Sequence, residues 1–221
     1  MFSRQDYIIY DLPLLSCKPV NGWAIRTIGE IAEVIGGGTP DTAVDEYWNP
    51  PEVLWVTPTE ITKCRGMFIA DTERKISVAG VSDGPKVTIP PMSTLLTSRA
   101  TVGEARLNTV PMTTNQGFAS LVPKEHTDPI FLYYLTYHLK PTFQRLAAGT
   151  TYLEISRREV RKVHCYVPVD KNEQRLIGET IRSVDDALLC SEDSALQDLK
   201  RSLLQNLLTA NVRVSAGAPH A

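Results

Sequence analysis

The sequence predicts an α+β fold, in which a domain with a mixed or antiparallel sheet is followed by one long C-terminal α-helix. Two observations lead to this prediction. Short apolar runs separated by Gly, Pro, Asn and Asp fill the first 170 residues, which is typical of strands and turns. From residue 171 onward no proline occurs before Pro219, and apolar residues recur at helical spacing. Because few helical patterns separate the strands, a doubly wound parallel sheet is not expected.

Several short segments have the composition of strands. They are residues 53–56, 86–89, 93–97, 104–110, 117–122 and 163–167. Residues 23–35 have apolar groups at positions 25, 28, 31 and 35 and predict a short helix or a strand. This segment leads into the glycine-rich sequence 36–40, which predicts a turn.

Two helices are predicted inside the domain by their start signals. Residues 129–147 follow Asp128, a good N-cap, and Pro129 suits the first helical position. Pro141 is expected to kink or divide this helix, because proline removes a backbone donor. Ser156 and Glu159 have the spacing of a capping box and predict a short helix.

The long C-terminal helix is predicted from an apolar stripe over residues 173–209. Its members are Ile177, Ile181, Val184, Leu188, Leu196, Leu199, Leu203 and Leu207. Such a helix would be roughly 55 Å long, whereas a domain of ~170 residues has a radius of gyration of about 15 Å. We therefore expect the stripe to pair with a second long helix as an antiparallel coiled coil. The alternative is two shorter helices, broken near Ser191, that fold back on the domain.

Composition argues against strong solitary binding to nucleic acid. The chain of 221 residues has 23 basic and 25 acidic side chains, a net charge of −2, whereas proteins that neutralise phosphates alone are usually basic. This balance still allows base reading while a partner holds the DNA backbone. With no run of 18 apolar residues and no leader pattern, we expect a cytoplasmic protein with no membrane partner.

No metal site is expected in this chain. Cys17, Cys64, Cys165 and Cys190 lie far apart, and none of the histidines stands at ligand spacing from them. Reduced, scattered thiols are the better interpretation than disulfides or zinc.

No catalytic residue and no cofactor are expected either. The sequence Asn-Pro-Pro-Glu at 49–52 is similar to the loop that holds the target amine in adenine methyltransferases, but Glu52 stands where that loop has an aromatic residue. Gly36, Gly37 and Gly38 lack the Gly-Lys-Ser/Thr ending of a phosphate loop. A structural turn is the better interpretation of both segments.

The loops carry groups suited to DNA recognition. Hydroxyls, amides and guanidinium groups at loop tips are the groups that contact base edges and phosphates. The candidate DNA-contacting residues are Thr57, Thr59, Lys63, Arg65, Ser98, Arg99, Thr101, Asn115, Gln116, Thr151, Tyr152 and Arg157.

A series of short motifs in a fixed order resembles one half of the specificity subunit of type I restriction–modification systems. The motifs are Gly-Gly-Thr-Pro at 37–40, Glu-Tyr-Trp at 46–48, Trp-Val-Thr at 55–57, Lys-Ile-Ser at 75–77, Leu-Thr-Ser-Arg-Ala-Thr-Val-Gly at 96–103, Thr-Asn-Gln-Gly-Phe at 114–118, Gly-Thr-Thr at 149–151 with Glu-Ile at 154–155, Val-Pro at 167–168, Glu-Gln at 173–174, and the helix end at 200–209. The resemblance covers about residues 23–214.

The resemblance implies a domain organisation and a set of partners. Residues 1–22 would be an N-terminal extension, 23–170 a target recognition domain, 171–210 a helix for dimerisation, spacing and docking, and 211–221 a tail. The domain would read one half of a gapped target in double-stranded DNA. Methylation subunits would dock on the helix, carry S-adenosylmethionine and modify adenine, and a motor-nuclease subunit would join in systems that also cut. The specificity subunit itself has no catalysis.

The chain departs from the family in having one recognition domain and one helix. This leaves open a natural half-subunit, a truncated piece of a longer subunit or the partner of another half. We expect a homodimer or pairing with another half-subunit. Two alternatives belong to other classes. A small DNA methyltransferase or nuclease fragment would bind S-adenosylmethionine or a metal. A protein-binding coiled-coil adaptor would show no DNA sequence preference.

Overall fold

The computed structural model describes residues 20–148, 153–191 and 193–214, and the strands of this part of the chain form three sheets. The strands are β1 (Trp23–Thr27), β2 (Ala32–Gly36), β3 (Val53–Val56), β4 (Phe68–Ile69), β5 (Lys75–Ile76), β6 (Thr94–Leu96), β7 (Ala105–Asn108), β8 (Thr113–Thr114), β9 (Ala119–Pro123) and β10 (His164–Pro168). The sheets have the orders β2-β9-β6-β7-β4, β5-β3-β8 and β1-β10. Pairing is antiparallel except between β4 and β7 and between β3 and β8.

Helices connect and cover these sheets. They are α1 (Ile28–Ile31), a 3₁₀ helix (Asp45–Tyr47), α2 (Pro58–Lys63), α3 (Val78–Asp83), α4 (Pro129–His138), α5 (Lys140–Ala147), α6 (Arg157–Lys162), α7 (Lys171–Cys190) and α8 (Ser194–Leu207). The mixed, mainly antiparallel sheets with helices between them confirm the predicted α+β class.

Most predicted strands are confirmed, with two differences. Residues 23–35 form a strand, one helical turn and a second strand, so each of the two interpretations holds for part of the segment. The predicted strand at 86–89 is wrong. Lys86 has a φ of 64°, which ends extended pairing, and only Ile89 forms a bridge, to Met112.

Helix α4 organises the larger hydrophobic core. The Asp128 carboxylate accepts hydrogen bonds from the amides of Ile130 and Phe131 at 3.0 and 2.9 Å, which confirms the predicted N-cap. Six consecutive side chains from Phe131 to Thr136 are buried, because the helix lies between the five-stranded sheet and α7 and has no solvent face there. As predicted, the Pro141 region divides this part: α4 ends at His138 and α5 begins at Lys140.

The prediction of one continuous helix over 171–210 is wrong. A long helix does follow the domain, but α7 ends at Cys190 and Ser191 is extended, with φ −151° and ψ 145°. Asp193 then caps α8, since its carboxylate accepts from the amide of Ala195 at 2.8 Å. Helix α8 packs against α7 and α4, so the alternative of two helices that fold back is the arrangement observed.

The fold-back buries much of the apolar stripe inside the same chain. Ile177 and Ile181 are fully buried, and Leu207 is 3% exposed in the core that contains α4. Other stripe residues are only half-buried or exposed: Val184, Leu188, Leu196 and Leu203 are intermediate and Leu199 is exposed. The domain therefore supplies much of the apolar cover that we expected from a second helix. Coiled-coil pairing stays a prediction.

Polar contacts join the two helices of this hairpin to α4. The Lys200 ammonium lies 2.5 Å from the Asp185 carboxylate and 4.9 Å from the centre of the Tyr137 ring. Asp185 also accepts a hydrogen bond from the Tyr134 hydroxyl at 2.9 Å. Burial, and next the negative charge of Asp185, raise the pKa of Tyr134, so this hydroxyl stays a donor.

The predicted N-terminal extension covers residues 1–22. Only residues 20–22 of it are among those that the structure describes. In the described part of the chain, no helix combines the length and the apolar character needed to cross a membrane.

Candidate nucleic-acid interface

The loop before β9 lies at the centre of a group of polar loops. On one side, the carbonyl of Thr114 accepts a hydrogen bond from the Gly38 amide at 3.0 Å. On the other, the Asn115 amide donates to the carbonyl of Val56 at 3.0 Å, next to the start of α2. The glycine-rich loop, the start of α2 and the loop before β9 are thereby joined through main-chain atoms.

Two further loops extend this group. The Ser98 amide donates to the Gly117 carbonyl at 2.8 Å, and the Ser98 carbonyl accepts from the Ile155 amide at 3.0 Å. The loop after β6 therefore lies between the loop before β9 and the segment that leads into α6. We define the candidate interface as the polar groups of five connected segments: residues 36–40, 56–59, 97–103, 114–118 and 153–157.

Close main-chain packing explains the glycines at 37 and 38. A Cβ on Gly37 would lie 2.0 Å from the carbonyl oxygen of Thr114, and a Cβ on Gly38 would lie 2.3 Å from that of Gly84. Any larger residue at either position would collide with backbone. Gly37 and Gly38 therefore allow the backbones of neighbouring loops to pack closely, in agreement with the predicted structural turn.

Neutral polar side chains occupy the middle of the interface. The Thr39 hydroxyl donates to the Gln116 side-chain carbonyl, and Gln116 is exposed. The Asn115 side-chain carbonyl accepts from the Gly117 amide at 2.8 Å, so Asn115 shapes the turn that presents Gln116. The Gln116 amide, which can donate and accept, suits the edges of bases.

Thr57 begins a helix rather than a loop. Its amide and its hydroxyl both donate to one carboxylate oxygen of Glu60, at 2.7 and 2.9 Å, and Pro58 occupies the first helical turn. The other Glu60 oxygen accepts from the Glu73 amide at 2.8 Å. The sequence Thr-Pro-Thr-Glu is a capping box, which is the signal that could have identified α2.

Two cationic side chains lie in the interface. The Arg99 guanidinium pairs with Glu154 at 2.8 Å, and both side chains are partly exposed. The Arg157 guanidinium covers Gly36, where an added Cβ would lie 2.8 Å from its Cζ atom. Thr39 and Glu154 belong to the sequence motifs but are not among the predicted contact residues. Their contacts with Gln116 and Arg99 depend on the sheets, which bring the loops together.

Not every predicted contact residue belongs to this surface. Ser98 is 4% exposed, so its side chain is enclosed while its backbone joins two loops. Lys63 is at the far end of α2 and pairs with Glu73 at 3.3 Å. Arg65 is exposed beside Gly66, whose added Cβ would approach Leu189 of α7 at 3.4 Å. Arg65 therefore lies towards the helical hairpin.

The remaining predicted residues divide into two groups. Thr59 on α2 and Thr101 in the turn after β6 are exposed. Thr151 and Tyr152 lie outside the described residues. Among the residues that are described, no group of three or more His, Cys, Asp or Glu side chains is placed to hold a metal ion.

Comparison with known proteins identifies relatives of the chain. Residues 21–200 match the family described as the type I restriction modification DNA specificity domain. The MjaIX specificity subunit of Methanocaldococcus jannaschii is 30% identical over 185 residues, which is 83% of this chain and 42% of that protein. The EcoR124I/EcoR124II specificity subunit of Escherichia coli is 26% identical over 82% of this chain and 45% of its own length.

Solved structures share the fold. The HsdS subunit from Thermoanaerobacter tengcongensis aligns with a TM-score of 0.61 at 18% identity, over 89% of this chain and 47% of that chain. A chain from a type I R-M system also gives 0.61 at 20% identity, over 89% of this chain and 48% of its own. The chain spans less than half the length of the specificity subunits that it matches.

Proposed function

Since the chain belongs to the type I restriction–modification DNA specificity family, we propose that it reads one half of a gapped DNA target for adenine-methylation subunits that dock on it. The observation that carries this proposal is the candidate interface. Four loops and the start of α2 meet there through main-chain hydrogen bonds. Thr39 bonds to Gln116, and the Arg157 guanidinium lies against Gly36, where the glycine-rich loop begins. Their amide, hydroxyl and guanidinium groups are those that contact base edges and phosphates.

The chain contributes recognition and no catalysis in this proposal. S-adenosylmethionine belongs to the methylation subunit, and a motor-nuclease subunit joins where the system also cuts DNA. The net charge of −2 supports a reader that depends on partners for part of its hold on the DNA. We expect the isolated chain to bind DNA weakly at physiological salt and the complex with methylation subunits to bind one sequence tightly.

The second half of the target needs a second reader. The chain matches 42–45% of the length of these relatives, and we propose that a second recognition unit of the same kind reads the other half. Two identical chains related by a two-fold axis would read a palindrome with a gap, whereas a different half-subunit would give unlike halves. Light scattering of the chain, alone and with its methylation subunit, measures which assembly forms.

Sequencing of methylated bases tests the function directly. Cells that carry this chain and its methylation subunit should acquire methyladenine in two short half-sites separated by unspecified bases. A continuous, ungapped motif would contradict the proposal, as would methylation at the same sites without this chain. A Gln116→Ala variant should change or relax the motif, whereas Glu125→Ala, at an exposed site after β9 and outside the proposed docking helix, should leave it intact.

A further inference from the structure

A cationic side chain outside the predicted contacts is held in a corner made by two tryptophans. The rings of Trp48 and Trp55 are perpendicular, with centroids 5.4 Å apart. The Cζ atom of Arg74 lies 4.4 Å from the first centroid and 4.8 Å from the second. A guanidinium over indole faces gains cation–π attraction from each ring. Arg74 itself is exposed, so the corner holds it at the surface.

Both rings are fixed by the glycine-rich loop. The indole N–H of Trp55 donates to the carbonyl of Gly38 at 3.0 Å, and that of Trp48 donates to the carbonyl of Asp41 at 3.1 Å. Thr39, which bonds to Gln116, lies between these two acceptors in sequence. The corner is therefore attached to the candidate interface through one loop, and Arg74 stands at its rim.

The main chain of Arg74 is fixed as well. Its carbonyl accepts hydrogen bonds from the Trp55 amide at 3.2 Å and from the Thr72 hydroxyl at 2.6 Å. A long side chain with a fixed base and a stacked end loses little further freedom when it binds a ligand. This preorganisation favours affinity, because ordering of side chains is a cost of association.

The charge of Arg74 is unpaired within the described part of the chain. Its acidic neighbours in sequence are occupied elsewhere, since Asp71 pairs with Lys75 at 3.6 Å and Glu73 with Lys63 at 3.3 Å. No ion pair or side-chain hydrogen bond of the Arg74 guanidinium to another described residue is formed. Its N–H donors are thus available, while the two indole rings hold the group from two sides.

We propose that Arg74 is a preorganised anchor for one phosphate of the DNA backbone, at the rim of the candidate interface. The inference rests on the proposed function and adds a residue to it. A guanidinium fork matches two oxygens of a phosphate. The neutral groups at the centre of the interface suit bases, whereas a lone cation at the rim suits the backbone that flanks a groove.

The test uses the whole chain in complex with its methylation subunit. Equilibrium binding is measured for two duplexes, one with the target sequence identified by methylation sequencing and one with that sequence scrambled. The salt concentration is varied between about 50 and 200 mM. Arg74→Gln should weaken binding to both duplexes by a similar factor of about ten. It should also lower the slope of log affinity against log salt by about one, because one phosphate contact is lost.

Two further variants make the result specific. Arg74→Lys should keep the salt slope but recover only part of the affinity, because the ammonium lacks the planar fork and the stack. Arg26→Gln removes the same charge from an exposed site on β1, outside the candidate interface and the proposed docking helix, and should change neither quantity. Thermal unfolding and light scattering verify that each variant folds and assembles.

The contrary outcomes are distinct. A loss confined to the target duplex, or to one base pair of it, would show a base contact and overturn the phosphate assignment. Full recovery of affinity by Arg74→Lys would show that charge alone is sufficient. The proposed role of the preorganised guanidinium would then be wrong. If wild type is sequence-specific and Arg74→Gln binds unchanged, only this inference fails. If the wild-type complex shows no sequence preference, the proposed function fails.

Discussion

The guanidinium of Arg213 binds both carboxylate oxygens of Glu173, at 2.9 Å through Nε and 2.6 Å through Nη2. Glu173 also accepts the indole N–H of Trp23 at 3.1 Å, and Arg213 donates to the carbonyl of Asn21 at 2.7 Å. Hydrogen bonding to Glu173 raises the pKa of Arg213. The segment after α8 is thereby joined to the start of α7 and to the residues before β1.

The first prediction concerns Glu173. Replacement by Ala leaves the buried Trp23 N–H without an acceptor, so Glu173→Ala should lower the free energy of unfolding by about 1–3 kcal/mol. Urea denaturation measures the loss. Glu179→Ala, at an exposed site on the same helix, is the matched control and should change stability by less than about 0.5 kcal/mol. Equal effects of the two variants would show that the contacts of Glu173 with Trp23 and Arg213 do not stabilise the fold.

The second prediction concerns the fold-back of α8. Leu207 is 3% exposed and Leu199 is 45% exposed. Leu207→Ala should therefore cost about 2–5 kcal/mol of unfolding free energy, whereas Leu199→Ala should cost less than about 1 kcal/mol. Denaturation at two protein concentrations provides the check. Similar, concentration-dependent losses for both variants would instead indicate a helix paired along its whole stripe with another chain.

The third prediction concerns Gln116 in the complex with methylation subunits. Gln116→Ala should reduce the preference for the target over single-base variants by about 1–3 kcal/mol at the position that the amide reads. Competition binding against a panel of such duplexes measures this preference. A uniform loss across the panel would assign Gln116 to the DNA backbone instead of a base.

The fourth prediction concerns two thiols. Burial raises the pKa of the Cys165 thiol to about 12, and Cys165 is 1% exposed, whereas Cys190 is exposed. In native protein at mildly alkaline pH, iodoacetamide should modify Cys190 rapidly and Cys165 only after unfolding. Peptide mass spectrometry gives both rates, and fast modification of Cys165 in folded protein would refute its enclosure.

The raised pKa of Cys165 also makes the free energy of unfolding depend on pH. The folded chain holds the Cys165 proton more tightly than the unfolded chain, so its contribution to stability is complete below the ordinary thiol pKa. That contribution is lost as the pH rises from there towards about 12. Cys165→Ala should therefore lose less stability than wild type over the alkaline range, measured by thermal unfolding.

Local signals determined how much of the fold could be predicted. Asp128, Pro129 and Pro141 fixed the start and the division of the α4–α5 pair because capping and the missing proline donor act within one turn. The capping box at Thr57 is equally local, but Thr57 and Thr59 were predicted to lie in a loop. The helix that Thr57 begins has only six residues, too few to show an apolar periodicity. Ser191 and Asp193 carried the signal for a break, but the apolar spacing on both sides suggested one helix.

The assembly of the interface depended on contacts that no local pattern contains. The segments of the interface meet because β3 pairs with β8 in one sheet and β9 pairs with β2 and β6 in another, and because main-chain hydrogen bonds join the segments that follow or precede these strands. Similarly, the cover for Ile177 and Leu207 comes from α4, which is remote in sequence. Spacing alone shows that a face is apolar and leaves open what packs against it.

The main-chain bonds between the loops have an evolutionary consequence. A surface joined through amides and carbonyls keeps its shape whichever side chains stand on it, provided that Gly37 and Gly38 keep their backbones in contact. Exposed positions such as Gln116 can then be exchanged without loss of the scaffold. In the proposed function, such exchanges would change the DNA sequence that is read while the frame beneath is retained.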